Sequence, residues 1–398
     1  MRPLLRAAPL LLVTFAASAA DDFEAFQRQQ MQERQAYETR ATDEFEAYRK
    51  EILKAFEDYR RKAAAVWGAQ DAALPERKRL VEYGAGMTER RTIDFERGVA
   101  KVEIALSPTQ AADTASVAKR LGTLVQQAVT EAPDTRSIQD IAAAPEAAKR
   151  QGEAVLADLV QSADGRPVSG ANAAAFARQV VSAGVSRRTQ LGEDGQKRVV
   201  ASAEFPLIPN HIRVRAAKFE PLVRSHAQRQ KLDPKLIFAV METESAFNPT
   251  ARSTVPAFGL MQLVPTSGAR DAYRHLHNQD RVVSDSYLYD PKNNIELGSA
   301  YLDRLLSVYL AGVKNPEARL WCAIAAYNTG PGNVMRAFAG TYRTSMGSRA
   351  DWQARALGRI NGMSSEQVFK HLVGNLPYEE TRHYVQKVRE RMPKYGSM

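Results

Sequence analysis

The chain has 398 residues, a formal net charge of +10 at pH 7 and one cysteine, Cys322. A single cysteine excludes an intrachain disulfide, and its apolar neighbours Trp321 and Ile324 predict a buried packing role. The length predicts two or three domains, at about 150 residues each. The basic charge suits a polyanionic partner such as the cell wall or an anionic membrane surface, whereas the scattered Lys and Arg residues argue against nucleic acid. We predict no cofactor and no metal site.

The first 20 residues have the three parts of a secretory signal peptide. Arg2 and Arg6 precede an apolar run at 10–13, and small residues at 17–20 supply a cleavage site. We therefore expect a mature chain from Asp21, exported to the periplasm, without a lipoprotein cysteine at the cleavage site. No later stretch approaches the ~20 apolar residues that span a bilayer.

Residues 21–66 are highly charged and predict an amphipathic helix. The apolar positions recur at steps of three and four: Phe45, Tyr48, Ile52, Phe56 and Tyr59. Two interpretations remain open for this helix. It packs on the next domain or pairs as a short coiled coil, or it makes peripheral contact with a membrane or a cell-wall protein.

Residues 67–205 combine helix and strand patterns, which predicts a small α+β domain. The stretch from Thr92 to Ile104 alternates on both sides of Arg97-Gly98, as a hairpin does, and Arg198 to Phe205 predicts another strand. Residues 206–215 are predicted to be a linker. From 216 to 398 the patterns are mainly helical, and every chemically suggestive motif lies there.

Glu244 occupies an unusual position in one of these helices. It follows Met241, Val240 and Ile237 by three, four and seven residues, so it shares their apolar stripe. Burial raises the pKa of a carboxyl group, and a general acid needs a raised pKa. A buried glutamate paired with an arginine is the alternative. Glu242 points about 200° round the helix axis, so we expect it to be solvated.

Four further motifs follow Glu244 in a fixed order. They are Gly259-Leu260-Met261-Gln262, Tyr289-Asp290-Pro291 with Asn294 to Gly298, Ala326 to Gly332, and Leu376 to Val385. Together with Glu244-Ser245 they resemble the catalytic domain of the soluble-lytic-transglycosylase type, which has a goose-type lysozyme-like fold and cleaves peptidoglycan. The resemblance implies an α+β protein in which a small N-terminal α+β domain precedes a mainly α catalytic domain.

The resemblance extends upstream of the catalytic domain. Val66-Trp67-Gly68, the hairpin and Pro209-Asn210-His211 are similar to the membrane-bound lytic murein transglycosylase C family, over about residues 67 to 395. Those proteins are lipoproteins anchored through a cysteine at the signal cleavage site. Ala19-Ala20-Asp21 has no such cysteine, so the charged helix is a candidate substitute for the lipid anchor.

The resemblance also implies roles for individual residues. Glu244 matches the family's catalytic acid and base, which would cleave the bond between N-acetylmuramic acid and N-acetylglucosamine without water and leave a 1,6-anhydromuramoyl end. We expect no other acidic residue at the mouth of its helix, so one carboxylate would serve both steps. The resemblance further implies substrate contacts at Ser253, Met261, Gln262, Tyr327, Asn328 and Glu380.

Four of these residues have a simpler explanation as well. Ser253 is then an ordinary loop serine, Met261 a core residue and Tyr327 a buried tyrosine with some other partner. Glu380 is then a helix cap or an ion-pair partner of Arg382. Two other functions are also considered for the whole chain. One is a non-catalytic peptidoglycan-binding module with the same fold, and the other is a hydrolytic muramidase, which needs a second carboxylate.

Overall fold

The computed structural model describes residues 43–84, 86–343, 345 and 347–398. Residues 49–398 form one compact unit, and residues 43–48 belong to a separate unit. The predicted signal peptide at 1–20 lies outside the described residues, as do residues 21–42 of the predicted charged helix. None of the helices in the described part of the chain is both long and apolar enough to cross a membrane.

Helix α1 covers residues 43–67. From residue 49 onward its apolar stripe is buried, with Ile52, Phe56 and Tyr59 each at most 2% exposed. The Tyr59 ring meets Tyr83 edge to face at 5.7 Å, and the Trp67 Nε1 donates to the Met87 carbonyl at 2.6 Å. Over this stretch α1 therefore packs on the protein, which is one of the two interpretations of its pattern.

Five antiparallel strands form one sheet in the order β1-β2-β3-β5-β4. Their bounds are Arg79–Gly84, Glu89–Asp94, Val99–Leu106, Ser186–Leu191 and Lys197–Pro206 for β1 to β5. The β2–β3 turn forms because the Asp94 carboxylate accepts from the backbone N–H groups of Glu96 and Arg97, and Gly98 supplies a φ of +68°. The predicted hairpin and the predicted strand at Arg198 are confirmed.

Four helices accompany the sheet: α2 (Pro108–Ala112), α3 (Thr114–Thr130), α4 (Ile138–Ala143) and α5 (Ala173–Ala183). Apolar residues of α3 and α5, including Leu121 and Phe176, share a core with Phe95 and Val102 of the sheet region. Burial of such side chains contributes roughly 1.5–3 kcal/mol each. This core joins the helices α3 and α5 to the sheet.

The remaining chain is helical. Its helices are α6 (His211–Lys218), α7 (Glu220–Gln230), α8 (Pro234–Ser245), α9 (Arg270–His277), α10 (Asp285–Leu288), α11 (Pro291–Arg304), α12 (Pro316–Thr329), α13 (Pro331–Ala339), α14 (Arg349–Asn361), α15 (Ser365–Asn375) and α16 (Glu379–Arg391). A second core runs through α8 and α12 and includes Cys322, whose pKa burial raises to about 12. The inert cysteine and the α+β fold with a mainly helical catalytic part are confirmed.

Strand β5 connects to α6 through hydrogen-bonded backbone. The Leu207 N–H donates to the Gly98 carbonyl at 2.8 Å, and the Ile208 N–H donates to the Leu159 carbonyl at 2.9 Å. The predicted linker at 206–215 therefore contains the end of β5 and the first residues of α6. This segment fixes the helical part to the sheet, and that attachment brings residues before β1 within reach of α8.

Candidate active site around Glu244

Helix α8 places Glu244 in its last turn. The helix starts where the Asp233 carboxylate caps the Lys235 N–H at 2.9 Å and Pro234 takes the first helical position. It ends at Ser245 because Ala246 and Phe247 adopt left-handed conformations, with φ of +48° and +61°. Such conformations cost about 1–2 kcal/mol in residues with a side chain. The helix thus stops before Asn248-Pro249, and the chain turns away just beyond Glu244.

The Glu244 carboxyl is buried and its pKa is raised. Only 4% of the residue is exposed. Burial is the largest influence and raises the pKa to about 7, even though Arg77, Tyr384 and Lys78 stabilise the ionised form. A carboxyl with this pKa populates both protonation states near neutral pH. Glu244 can therefore donate a proton in one step and accept one in the next.

Arg77, from the segment before β1, connects two carboxylates. Its Nη1 lies 3.6 Å from the Glu244 Oε2, and its Nη2 lies 3.1 Å from the Glu380 Oε1. The expectation that no other acidic residue reaches the mouth of the Glu244 helix is therefore wrong. Glu380 lies in the first turn of α16, far along the chain, and its side chain is 67% exposed. Packing of α16 beside α8 brings the two carboxylates to one guanidinium.

Two tyrosines accompany Glu244. The Tyr327 hydroxyl donates to the Met261 carbonyl at 2.8 Å, and the nearby negative charge of Glu244 adds to the rise of its pKa. The Tyr384 hydroxyl lies close enough to Glu244 to lower the carboxyl pKa. It nevertheless forms no hydrogen bond of good geometry with any described residue. It therefore has hydrogen-bonding capacity to spare beside the carboxyl.

A tight loop after α8 carries Met261 and Gln262. Asn294, which is fully buried, accepts from the Met261 N–H at 2.8 Å and donates to the carbonyls of Phe258 and Leu288. The Met261 side chain is fully buried against Gly298, where a Cβ would collide with its sulfur. The Gln262 Nε2 donates to the carbonyls of Ala251 and Gly259, which braces the loop. These contacts explain why Asn294 and Gly298 belong to the sequence motif.

The other predicted contact residues lie around this loop and on α12. Ser253 accepts from the Val255 N–H at 3.2 Å within the loop. The Asn328 Oδ1 accepts from the Thr381 Oγ1 at 2.7 Å, next to Glu380. The structure thus brings Glu244, Tyr327 and Glu380 together around Arg77 and Tyr384, and it gives Ser253 and Gln262 contacts within their own loop.

Glu242 differs from its expected position. It is buried, only 6% exposed, and not solvated. Its carboxylate meets the Arg391 Nε at 2.9 Å, the Lys394 Nζ at 3.1 Å and the Tyr395 hydroxyl at 2.6 Å. The C-terminal segment after α16 covers this side of α8, which a rotation angle alone could not reveal.

Sequence reasoning missed Arg77, Tyr384 and Lys78. Arg77 carries no local signal, because its partner lies on a helix in another part of the fold. Tyr384 could have been found, since it follows Glu380 by four residues and so shares its face of α16. In the described part of the chain, no group of three or more His, Cys, Asp and Glu residues could hold a metal ion.

Two family models match the chain in succession. Residues 40–218 match the N-terminal domain of membrane-bound lytic murein transglycosylase C. Residues 221–347 match the transglycosylase SLT domain. The second match includes Glu244, Ser253, Gln262 and Tyr327, and it ends before Glu380 and Tyr384 on α16.

Relatives that match most of the chain carry the same name as the N-terminal family model. Membrane-bound lytic murein transglycosylase C of Pectobacterium atrosepticum is 32% identical over 83% of this chain and 86% of its own length. The Sodalis glossinidius protein of that name is 34% identical over the same shares. The Escherichia coli 70 kDa soluble lytic transglycosylase structure is 26% identical over 44% of this chain and 24% of its own, with a TM-score of 0.33. These two curated matches, at 32% and 34% identity over 83% of the chain, show that it belongs to the membrane-bound lytic murein transglycosylase C family of enzymes.

Proposed function

We propose that this enzyme cleaves the β-1,4 bond between N-acetylmuramic acid and N-acetylglucosamine in peptidoglycan strands, with Glu244 acting first as acid and then as base. The product would carry a 1,6-anhydromuramoyl end. One observation supports this most directly: Glu244 is buried at the end of α8, with its pKa raised to about 7. That value suits both proton transfers at neutral pH. Family membership places the activity in the periplasm or cell envelope.

In the first step, the protonated Glu244 donates its proton to the glycosidic oxygen, and the bond from that oxygen to the muramoyl anomeric carbon breaks. The N-acetylglucosamine leaves with a new hydroxyl group, and the 2-acetamido group of the muramoyl residue stabilises the cation that develops. Glu244 is now ionised. Arg77 at 3.6 Å and the hydroxyl of Tyr384 stabilise this form of the carboxylate.

In the second step, the Glu244 carboxylate removes the proton from the muramoyl 6-hydroxyl while that oxygen attacks the anomeric carbon. The new bond closes the anhydro ring, and the proton of the 6-hydroxyl returns Glu244 to its protonated form. Water is not consumed. Burial of the carboxyl supports this route, because little water can reach Glu244 to be activated as a nucleophile.

The remaining predicted residues are proposed to hold the strand. Tyr327, whose hydroxyl is tied to the Met261 carbonyl, would fix the loop against α12. Met261 would act through this carbonyl, because its side chain is buried. The polar groups that would bind sugar or peptide are those of Ser253, Gln262, Asn328 and Glu380.

Hydrolysis by a muramidase is the second candidate, and Glu380 is the observation that favours it. A hydrolase needs a second carboxylate, which lies about 5 Å from the acid in retaining enzymes and about 6.5–9.5 Å from it in inverting ones. Glu380 shares Arg77 with Glu244. Its ion pair with that guanidinium, however, competes with a role as nucleophile or base, so we rank this function second.

The products distinguish the two functions. Purified sacculi are digested with the mature protein, with Glu244→Gln and with Glu380→Gln, and the muropeptides are analysed by mass spectrometry. We expect products one water lighter than hydrolytic ones from the wild type and from Glu380→Gln, and none from Glu244→Gln. Reducing-end products that disappear with Glu380→Gln would establish the muramidase instead.

We also propose peripheral contact with a membrane or a cell-wall protein for the charged N-terminal stretch at 21–66, because it combines many acidic and basic side chains with an amphipathic pattern. The exported protein should sediment with the envelope at low salt and be released at high salt. Full recovery in the soluble periplasmic fraction at low salt would contradict this contact.

A further inference from the structure

Arg215 is a buried arginine that forms no ion pair within the described residues. It lies on α6, is 5% exposed, and its Nη1 has no hydrogen-bond partner among the described residues. Its guanidinium carbon lies over the Phe95 ring, 3.4 Å from the centroid, and that cation–π contact supplies no hydrogen-bond acceptor. Unpaired buried charges are costly in folded proteins, and they are generally paired or bind a ligand.

Arg215 lines a cavity of about 340 Å³, a size typical of small-molecule sites. The wall is mainly apolar, with Phe95, Leu159, Phe219 and Leu222, and it includes the polar side chains of Thr135 and Thr250. None of Glu244, Ser253, Gln262, Tyr327 or Glu380 lines it. The cavity therefore lies outside the proposed active site.

The other charged groups of the cavity satisfy one another. Lys218 pairs with Glu153 at 3.2 Å and donates to the Ala157 carbonyl at 3.1 Å. Arg215 is then the one charge in this cavity for which the structure provides no counterion within the described residues. A planar guanidinium of this kind binds a carboxylate with two parallel hydrogen bonds.

We propose that this cavity binds an organic carboxylate with a short apolar body, whose carboxylate pairs with Arg215. The apolar wall would take the body of the ligand. The hydroxyls of Thr135 and Thr250 donate to the Lys149 carbonyl and the Asn248 Oδ1, so their oxygens would accept from a further polar group of the ligand. Two sources have this chemistry: a carboxylate of the peptide stem that peptidoglycan carries, and a free small organic acid. The proposal concerns binding alone and does not depend on the reaction at Glu244.

Binding is tested with the full chain and defined probes at constant ionic strength. Pentanoate represents the free acid, pentan-1-ol is its neutral counterpart, and the free stem tetrapeptide represents peptidoglycan. We expect pentanoate or the tetrapeptide to raise the melting temperature saturably, by roughly 2 °C or more, and pentan-1-ol to leave it unchanged. Titration calorimetry gives the dissociation constants.

Two variants assign the site. Arg215→Met should weaken binding by about tenfold or more, because hydrogen bonds to a charged group are lost. Arg213→Met is the matched control, since Arg213 lies on the same helix with its side chain exposed and directed to the Ser397 hydroxyl. It should bind as the wild type does. If Arg215→Met does not fold, Arg215→Lys and the wild-type comparison of pentanoate with pentan-1-ol still decide the question.

The outcomes are distinct. Tetrapeptide binding that depends on Arg215 assigns the ligand to peptidoglycan, and binding of pentanoate alone assigns it to a free acid. No saturable binding of either probe to the wild type, or equal binding by Arg215→Met, would overturn the proposal. Loss of activity in Glu244→Gln with unchanged probe binding would show that the two sites function separately.

Discussion

Glu242 and Glu244 are two buried carboxylates on one helix, and their surroundings shift their pKa values in opposite directions. Glu242 accepts from Arg391, Lys394 and Tyr395, and these partners outweigh burial and lower its pKa. Glu244 has one half-exposed arginine at 3.6 Å, and burial raises its pKa to about 7. Burial alone therefore does not raise the pKa of a carboxyl group on this helix. The pKa rises only where the buried carboxyl has few close cations or hydrogen-bond donors.

The largest effect should appear in activity. Glu244→Gln removes the group that transfers the proton, and we expect sacculus digestion to fall by about 10³-fold or more. The matched change Glu242→Gln, two residues away in the same helix, should leave the rate per folded molecule within about threefold of the wild type. The release of soluble muropeptides measures both rates, with the folded fraction determined by circular dichroism. Equal losses in the two variants would mean that helix integrity, rather than the proton of Glu244, limits the reaction.

The two substitutions should affect stability in the reverse order, with Glu242→Gln the more damaging. Glu242→Gln leaves Arg391 without its buried counter-charge, and we expect the free energy of unfolding to fall by about 3 kcal/mol. Glu244→Gln breaks no comparably close ion pair and should cost less than 1 kcal/mol at pH 5. Urea unfolding followed by tryptophan fluorescence gives both values. Equal stability of the two variants would contradict the claim that the ion pairs of Glu242 contribute more to stability than that of Glu244.

The pH dependence of stability separates the two glutamates further. The pKa of Glu244 is about 7 in the folded state against 4.5 in the unfolded state, so the folded state binds the proton more tightly. Its contribution is complete below pH 4.5 and is lost as the pH rises through 7. Glutamine resembles the protonated form at every pH, so Glu244→Gln should gain about 2–3 kcal/mol relative to the wild type between pH 5 and pH 8.5.

Glu242 should give the opposite trend. Its lowered pKa adds stability above pH 4.5 that disappears as the pH falls through the folded-state value. The deficit of Glu242→Gln should therefore shrink on acidification. Unfolding curves at pH 3.5, 5, 7 and 8.5 test both trends together, and parallel curves for the two variants would contradict the assigned pKa shifts.

Much of this arrangement could be predicted from local sequence. The stripe that contains Glu244 depends on helical periodicity, and the Arg97-Gly98 turn depends on the left-handed conformation that glycine allows. The order of motifs around Gln262 and Tyr327 indicated the family. These signals lie within short segments, so they can be interpreted without knowing how the segments pack.

The partners of the two carboxylates could not be predicted in the same way. Arg77 precedes the first strand and Arg391 lies at the end of α16, so they are far apart in sequence. Both nevertheless contact glutamates of α8. Only the packing of the sheet region and α16 on α8 determines which glutamate each arginine meets. The same reason explains why the sequence predicts a solvated Glu242. Helical periodicity gives the direction of its side chain, but it does not show that the C-terminal segment covers that side of α8.

The smallest expected effect concerns Arg77. It tests directly why the pKa values of Glu242 and Glu244 differ. Arg77→Met removes the cation nearest to Glu244 and should raise the carboxyl pKa by about 0.5–1, less than a buried pair would give because Arg77 is 41% exposed. The first step requires protonated Glu244, so the alkaline fall of kcat/KM should move to higher pH by that amount. Exposed Arg97, replaced by methionine, is the control and should leave the profile in place. An unchanged profile in Arg77→Met would show that Arg77 makes no measurable contribution to this pKa. A shift would instead show that a residue contributed from before the sheet adjusts an acid on the catalytic helix.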